Sequence, residues 1–231
     1  MLTLDRLQIH QGGFDLAASW SVPVGSRIAI IGPSGAGKST LLLAIAGFVP
    51  LKAGRIFWAG ENLAQTAPGD RPLSLLFQDQ NLFPHLTVAQ NLGLGLNPSL
   101  KLTADQHGQI TQALARVGLA GMEARKPASL SGGQLGRTAL ARALLRAKPM
   151  LLLDEPFAAL GPALKAEMLD LVAEMAAGMS ATVLLVTHDP ADAKRFADQT
   201  VLVADHTAYP PMPTQSLFSH PPAALAKYLG T

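Results

Sequence analysis

The stretch Gly32-Pro33-Ser34-Gly35-Ala36-Gly37-Lys38-Ser39-Thr40 restricts the fold more than any other part of this chain. It follows Arg27–Ile31, a short, apolar, branched run of the kind a buried strand needs. It leads into Lys38–Ala46, which holds helix formers and meets no breaker before Gly47. Strand, glycine-rich turn and helix in that order frame a phosphate-binding loop. Gly32, Gly35 and Gly37 let the backbone turn its N–H groups inward, and the helix start adds unpaired donors and a partial positive charge. In such a loop Lys38 reaches the β- and γ-phosphates of a nucleoside triphosphate, and the Ser39 hydroxyl binds magnesium.

The 231 residues can bury a full core as one domain, with room for a subdomain. A formal charge of +2, scattered basic residues and 5% aromatics give no basic stripe with stacking rings, so nucleic acid is not an expected partner. The lack of cysteine excludes disulfides, thiolate–zinc sites and thiol catalysis, and no two of the six histidines stand at ligand spacing. No apolar run approaches the roughly 18 residues of a membrane span. Early Asp5 and Arg6 do not fit a secretion signal. The expectation is a cytoplasmic protein that meets a membrane through a partner.

Ahead of and into the loop lie strand-like segments Leu2–Ile9, Phe14–Val22 and Arg27–Ile31, separated by Gln11-Gly12-Gly13 and Pro23-Val24-Gly25. Leu2, Leu4, Leu7 and Ile9 alternate, but imperfectly. Arg55–Trp58 followed by Ala59-Gly60 reads as a strand entering a hairpin turn, which predicts a small added antiparallel sheet. A turn over Ala67–Pro72 leads to a buried strand, Leu73–Phe77, ended by Gln78. Residues 79–148 then read as a mostly helical block, broken early at Pro84, Gly93, Gly95 and Asn97-Pro98. Helices are expected at Val88–Leu92, Thr103–Val117 and Gln134–Leu145, the second capped by Thr103 or Asp105. Strands resume at Met150–Leu153, Thr182–Val186 and Thr200–Val203, alternating with helices at Ala163–Ala176 and Pro190–Phe196. Strands apolar on both faces predict a parallel sheet covered by helices on both sides. A proline-rich turn, Tyr209–Pro213, and a short helix, Ala223–Leu229, close the chain.

Further chemistry gathers at strand ends. Asp154 and Glu155 follow the apolar run Leu151–Leu153, and in a parallel sheet ligands lie beyond the carboxyl ends of the strands. Asp154 there holds magnesium and Glu155, on the other side of the strand, polarises an attacking water; the alternative is a cap for the next helix. Ser131-Gly132-Gly133-Gln134 is either a second anion-binding helix start or simply a loop and cap. Gln78 and His188 each follow a buried strand, as ordinary edge residues or as groups within reach of a γ-phosphate.

In this order the pieces resemble the ATP-binding subunit of ABC transporters over nearly the whole chain. Gly32–Ser39 is similar to the Walker A loop, Gln78 to the Q-loop and Leu130–Gln134 to the signature. Leu151–Glu155 is similar to Walker B with its catalytic glutamate, and His188 to the switch histidine. The resemblance implies an α/β fold: a P-loop NTPase (RecA-like) core with a mostly parallel sheet and an added antiparallel β-subdomain over 1–77 and 149–231. A helical subdomain over 78–148 completes a single nucleotide-binding domain. It implies ATP and Mg²⁺ as ligands, with Ser39, Gln78 and Asp154 around the metal and Lys38, Gln78, Glu155 and His188 serving hydrolysis. Two copies would assemble head to tail, with Ser131, Gly132, Gly133 and Gln134 of one completing the ATP site of the other. The resemblance also implies a separate membrane permease, met near Leu82, Phe83, Pro84 and His85, and a periplasmic substrate-binding protein engaged indirectly. The chain would then sit peripherally on the cytoplasmic face of the inner membrane. Leu75–Leu102, the length and the missing C-terminal regulatory domain are similar to subunits that import thiamine, a cargo that nothing in the chain's own chemistry selects.

Three positions depart from the family pattern. Leu135-Gly136-Arg137 lacks the first basic residue of the run after the signature. Gly161 stands where the D-loop ends in aspartate, which predicts slower or less coupled hydrolysis. The aromatic that stacks on adenine is missing; His10 is nearest in position and Phe14 the lesser substitute. Two other readings follow. One is a non-transport ABC ATPase of DNA repair or the ribosome, whose insertions or zinc modules do not fit in 231 residues. The other is a weakly hydrolysing regulatory module, motivated by Gly161.

Overall fold

The computed structural model describes residues 1–77, 81–158 and 160–230. The imperfect alternation at the start of the chain has a structural cause. Strand β1 (Leu2–Gln11) pairs antiparallel with β2 (Phe14–Val22), and it buries Leu2 and Leu4, then Leu7 and Ile9. The inward phase slips between Leu4 and Leu7, where the register shifts and Arg6 adopts a φ of 47°. An extra residue in one strand restores the inward face in this way.

Strand β3 (Arg27–Ile31) runs into the glycine-rich loop and helix α1 (Lys38–Ala46). Arg71, buried, donates to Ala44 O at 3.2 Å and Ile45 O at 2.7 Å, fastening the far end of that helix. The expected hairpin is present: β4 (Leu51–Trp58) turns through Ala59-Gly60 into the short β5 (Glu61–Asn62). Strand β6 (Leu73–Leu76) precedes helices α2 (Val88–Leu96), α3 (Ala104–Arg116) and α4 (Gly132–Leu145). Then come β7 (Met150–Asp154), α5 (Pro162–Gly178), β8 (Thr182–Val186), α6 (Pro190–Phe196) and β9 (Gln199–Ala204). The chain closes with β10 (Thr207–Ala208), β11 (Met212–Pro213), α7 (Thr214–Ser219) and α8 (Ala223–Leu229).

The strands follow one path, β5-β4-β1-β2-β10-β9-β3-β8-β7-β6, with β11 on β9. The stretch β9-β3-β8-β7-β6 is parallel throughout. The added antiparallel strands are therefore not a separate sheet: β10 lies parallel to β2 and antiparallel to β9, and bridges the two parts. Ile28 and Ile30 join the core that holds Leu41, Leu42 and Ile45 of α1; Ala29 and Ile31 join the opposite core with α4, α5 and α6. Both faces of the parallel part are covered, as such strands require.

Helices α2, α3 and α4 share a smaller core of Val88, Leu92, Ile110, Leu114, Val117 and Ala141. Gly93 and Gly95 do not break α2 as expected. A Cβ at Gly95 would lie 2.7 Å from Arg142 O, so the glycine lets α2 approach the backbone of α4. Thr103, not Asp105, caps α3 through a capping box with Gln106, and α4 begins at Gly132, ahead of the expected Gln134. Gln78 lies outside the described residues. Among the described residues no helix is long and apolar enough to cross a membrane.

One buried side chain shapes the segment between β6 and α2. Asn91 Oδ1 accepts from Phe83 N at 2.8 Å, and Nδ2 donates to the carbonyls of Phe83 (3.1 Å), Leu86 (3.3 Å) and Thr87 (3.0 Å). Asn91→Ala is expected to lower stability by about 2–4 kcal/mol, because it strands the Phe83 N–H and opens a polar void. A loss below about 0.5 kcal/mol by urea unfolding would contradict that assignment.

Candidate functional site

The loop after β3 is pressed against its neighbours on two sides. Gly32 has φ of 151°, and a Cβ there would lie 2.0 Å from Val203 O on β9. Gly37 has φ of 98°, and a Cβ there would lie 2.7 Å from the Phe14 ring. No other residue fits either position without moving a strand or that ring. The bend returns the loop's carbonyls to its own lysine: Lys38, 7% exposed, donates to Gly32 O at 2.8 Å and Pro33 O at 2.9 Å. An ammonium has three donors, so one remains for a phosphate oxygen. Burial lowers the Lys38 pKa, and the charges of Glu155 and Asp154 work against that shift. The first turn of α1 carries no acidic residue, which leaves its N–H end to an anion. A cavity of about 400 Å³ opens over Ser34, Gly35, Lys38, Ser39 and Thr40, with Phe14 and Gln11 at one side and Glu155 at another. Pro33 and Ala36 belong to the same turn, joined by the Ala36 N–H to Pro33 O bond of 3.2 Å.

The end of β7 meets the start of α1. Ser39 Oγ donates to Asp154 Oδ1 at 2.9 Å. Burial raises the Asp154 pKa; the Ser39 hydrogen bond lowers it, Glu155 raises it and Lys38 lowers it. A hydroxyl and a desolvated carboxylate side by side are the hard oxygen donors that Mg²⁺ takes. Among the described residues no cluster of three or more acidic, histidine or cysteine side chains offers an alternative metal cage.

Glu155 leaves the strand with φ of 44°, a left-handed conformation that costs a non-glycine residue about 1 kcal/mol or more. Its N–H donates to Val186 O at 3.1 Å, and its Oε2 contacts His188 Nδ1 at 2.8 Å. The turn carrying His188 is itself tied down. Lys165 Nζ contacts Asp189 Oδ2 at 2.6 Å and Asp192 Oδ1 at 2.9 Å, and Thr187 Oγ1 donates to Asp192 Oδ2 at 2.7 Å. The Lys165 contact holds the Asp189 carboxyl below its usual range.

The structure thus brings together the loop, Asp154, Glu155 and His188. It keeps Ser131, Gly132, Gly133 and Gln134 apart from that cavity, at the tip of α4. Ser131 Oγ accepts from Gln134 N at 3.3 Å, and Gln134 Oε1 accepts from Ser131 N at 3.0 Å, so both side chains serve the helix cap in the single chain. His10 does not line the cavity: it stands opposite Asp15 in the hairpin register, and its Nδ1 contacts Asp15 Oδ1 at 2.9 Å. Phe14 occupies the wall instead, its ring 5.4 Å from that of His206. Arg137, the surviving basic residue, reaches Glu167 on α5 at 2.7 Å and Val117 O at 3.3 Å. Gly161 is extended, and nothing lies within 4 Å of a Cβ built there. Sequence reasoning missed Gln11 and Lys165; the signal for Gln11 was its place in the Gly12-Gly13 turn, and Lys165 had none beyond proximity to the D-loop. A second cavity, about 700 Å³, lies between β6, α2 and α4, with Phe83 at its rim.

Known proteins resemble this chain over most of its length. The family model described as ABC transporter matches residues 17–158. The thiamine import ATP-binding protein ThiQ of Cereibacter sphaeroides is 64% identical over 230 residues, with 100% of both chains covered. That of Ruegeria sp. is 57% identical, again over 100% of both, and that of Haemophilus influenzae is 50% identical over 88% of this chain and 94% of its own. A solved dimeric post-hydrolysis state of an ATP-binding cassette, bound to ADP and Pi, superposes with a TM-score of 0.81 at 25% identity. It covers 93% of this chain and 99% of that one.

The raised Asp154 pKa has a testable sign. Between the ordinary carboxylate value and the raised one, the folded state binds more protons than the unfolded chain, so this group's contribution to stability declines as pH rises through that window. Asp154→Asn removes the desolvated charge and keeps the acceptor for Ser39. Without added metal it is expected to melt above the parent at pH 7–8, with the advantage shrinking towards pH 4. Thermal midpoints across that range check this, and a variant less stable than the parent at pH 8 would refute it.

Proposed function

The chain belongs to the ABC transporter family, and on that premise we propose that it hydrolyses ATP to drive thiamine or thiamine pyrophosphate import through a separate permease. The observation that carries the catalytic part is the convergence of the Lys38 loop, the Ser39–Asp154 pair and the Glu155–His188 pair on one sheet edge. The cargo is taken from the relatives, which match the chain along its whole length.

ATP binds with its phosphates on the N–H groups of the Gly35–Ser39 turn and on the free donor of Lys38. Phe14 faces the base, supported by its place in the cavity wall. Ser39 and Asp154 would hold Mg²⁺, which when bound would supply charge neutralisation to the phosphates. Glu155 orients and polarises the attacking water, and His188, fixed by Glu155 through Nδ1, presents its remaining ring nitrogen to the γ-phosphate. Gln78 would join the metal and the water, as the sequence resemblance implies.

A second copy supplies Ser131, Gly132, Gly133 and Gln134 from the tip of its α4. The exposure of Ser131 and Gly132 supports this, as does the dimeric state of the solved relative. The permease docks on the groove beside Leu82, Phe83, Pro84 and His85. Phe83 is 46% exposed, and its ring meets that of His85 edge-on, 6.0 Å apart. The chain then works on the cytoplasmic face of the membrane, and a periplasmic binding protein delivers cargo to the far side.

Glu155→Gln is expected to bind Mg-ATP with parental affinity and to turn over about a hundredfold more slowly or worse. Steady-state phosphate release beside nucleotide titration measures both. Turnover within about threefold of the parent would remove Glu155 from the chemical step.

A further inference from the structure

Tyr228 lies on the last helix, remote in sequence from every residue assigned above. Helix α8 is anchored by Leu225, fully buried, while Tyr228 and Leu229 pack half-buried on the core beneath α5 and α6. From there the Tyr228 hydroxyl donates to the backbone carbonyl of His188. Burial, then the charges of Glu155 and Asp189, push the phenol above its ordinary value, which favours the hydroxyl form that donates. His188 is thereby held from two directions. Glu155 contacts its ring at 2.8 Å, and Tyr228 takes its carbonyl. On either side of it, Thr187 bonds Asp192 at 2.7 Å and Asp189 contacts Lys165 at 2.6 Å.

We propose that Tyr228 is a positioning residue for ATP hydrolysis, fixing the His188 backbone so that the imidazole keeps its contact with Glu155. The C-terminal helix thereby becomes part of the hydrolytic apparatus. This rests on the reading that His188 serves the chemical step. A ring nitrogen 2.8 Å from a carboxylate tolerates little backbone drift before the contact is lost, since hydrogen bonds weaken steeply beyond their normal range. The bonds of Thr187 and Asp189 act on its neighbours, while among the described residues only the Tyr228 hydroxyl donates to the His188 carbonyl.

The test uses the full-length chain and measures kcat, KM for ATP and the thermal midpoint in five forms. These are the parent, Tyr228→Phe, Leu229→Ala, His188→Ala and the Tyr228→Phe/His188→Ala double variant. Tyr228→Phe keeps the ring and is expected to lower kcat about three- to tenfold with KM and midpoint unchanged. In the His188→Ala background the same substitution is expected to cost nothing further, as for two residues acting through one group. Parental kcat in Tyr228→Phe, beside a slowed His188→Ala, overturns the proposal alone. So does an undiminished effect in the double variant. Leu229→Ala, which loosens the helix that carries Tyr228, is expected to lower both kcat and the midpoint. A Tyr228→Phe loss accompanied by a midpoint drop as large as that of Leu229→Ala also overturns the proposal, because loosening the helix would then suffice. A His188→Ala variant with parental turnover overturns the reading of His188 on which the proposal stands.

Discussion

A lysine ammonium buried among backbone carbonyls is the interaction on which the rest of this structure depends. Taking such a charge out of water costs several kcal/mol unless partners replace the lost hydration. Lys38 finds them in Gly32 O and Pro33 O, with Asp154 and Glu155 near enough to act on its titration. That arrangement requires the loop to fold back sharply, and the fold-back requires a glycine where Val203 O stands in the way. The order of the parallel strands follows from the same need: β9 and β8 flank β3, and β7 lies next, so the loop and the carboxylates share one edge.

At the end of β7 two adjacent carboxylates receive different surroundings. Asp154, the last residue of the strand, turns to Ser39 at the start of α1, while Glu155 lies just beyond it and borders the same cavity as Lys38 and Ser39. The left-handed backbone at Glu155 then aims its carboxylate at the end of β8, where His188 waits. Strain at such a residue persists because the sheet on both sides over-determines it. The departures from the family pattern leave this arrangement intact. Gly161 only opens α5 without a side-chain cap, and Arg137 still ties α4 to α5.

Much of this was legible in the sequence because it is local. The loop, the run ending at Asp154, a cap at Thr103 or Asp105, a cap at Ser131, and the parallel strands each announce themselves within a few residues. What was not legible depends on tertiary neighbours. A two-residue β10 joins the antiparallel strands to the core only because β2 and β9 come side by side. Gly93 and Gly95 look like breakers until Leu100, Leu102 and Ile110 close on the first and α4 on the second. Hairpin register sets His10 opposite Asp15, outside the cavity wall, and leaves Phe14 beside Gly37. The contact of Tyr228 with His188 spans 40 positions and has no local pattern at all.

On the proposed reading, a single chain supplies only part of what the reaction needs. The Lys38 loop supplies charge and N–H groups to a triphosphate, while the tip of α4 keeps its own side chains in a cap, distant from that cavity. Assembly is then the proposed consequence of nucleotide: ATP held by one copy offers its γ-phosphate to the helix start of another. Sedimentation velocity of the Glu155→Gln chain, with and without Mg-ATP, tests this most directly. The account predicts a monomer alone, a dimer with ATP, and a monomer throughout when Ser131→Arg is added. A Glu155→Gln chain that stays monomeric in saturating ATP, or a dimer indifferent to Ser131→Arg, would contradict it.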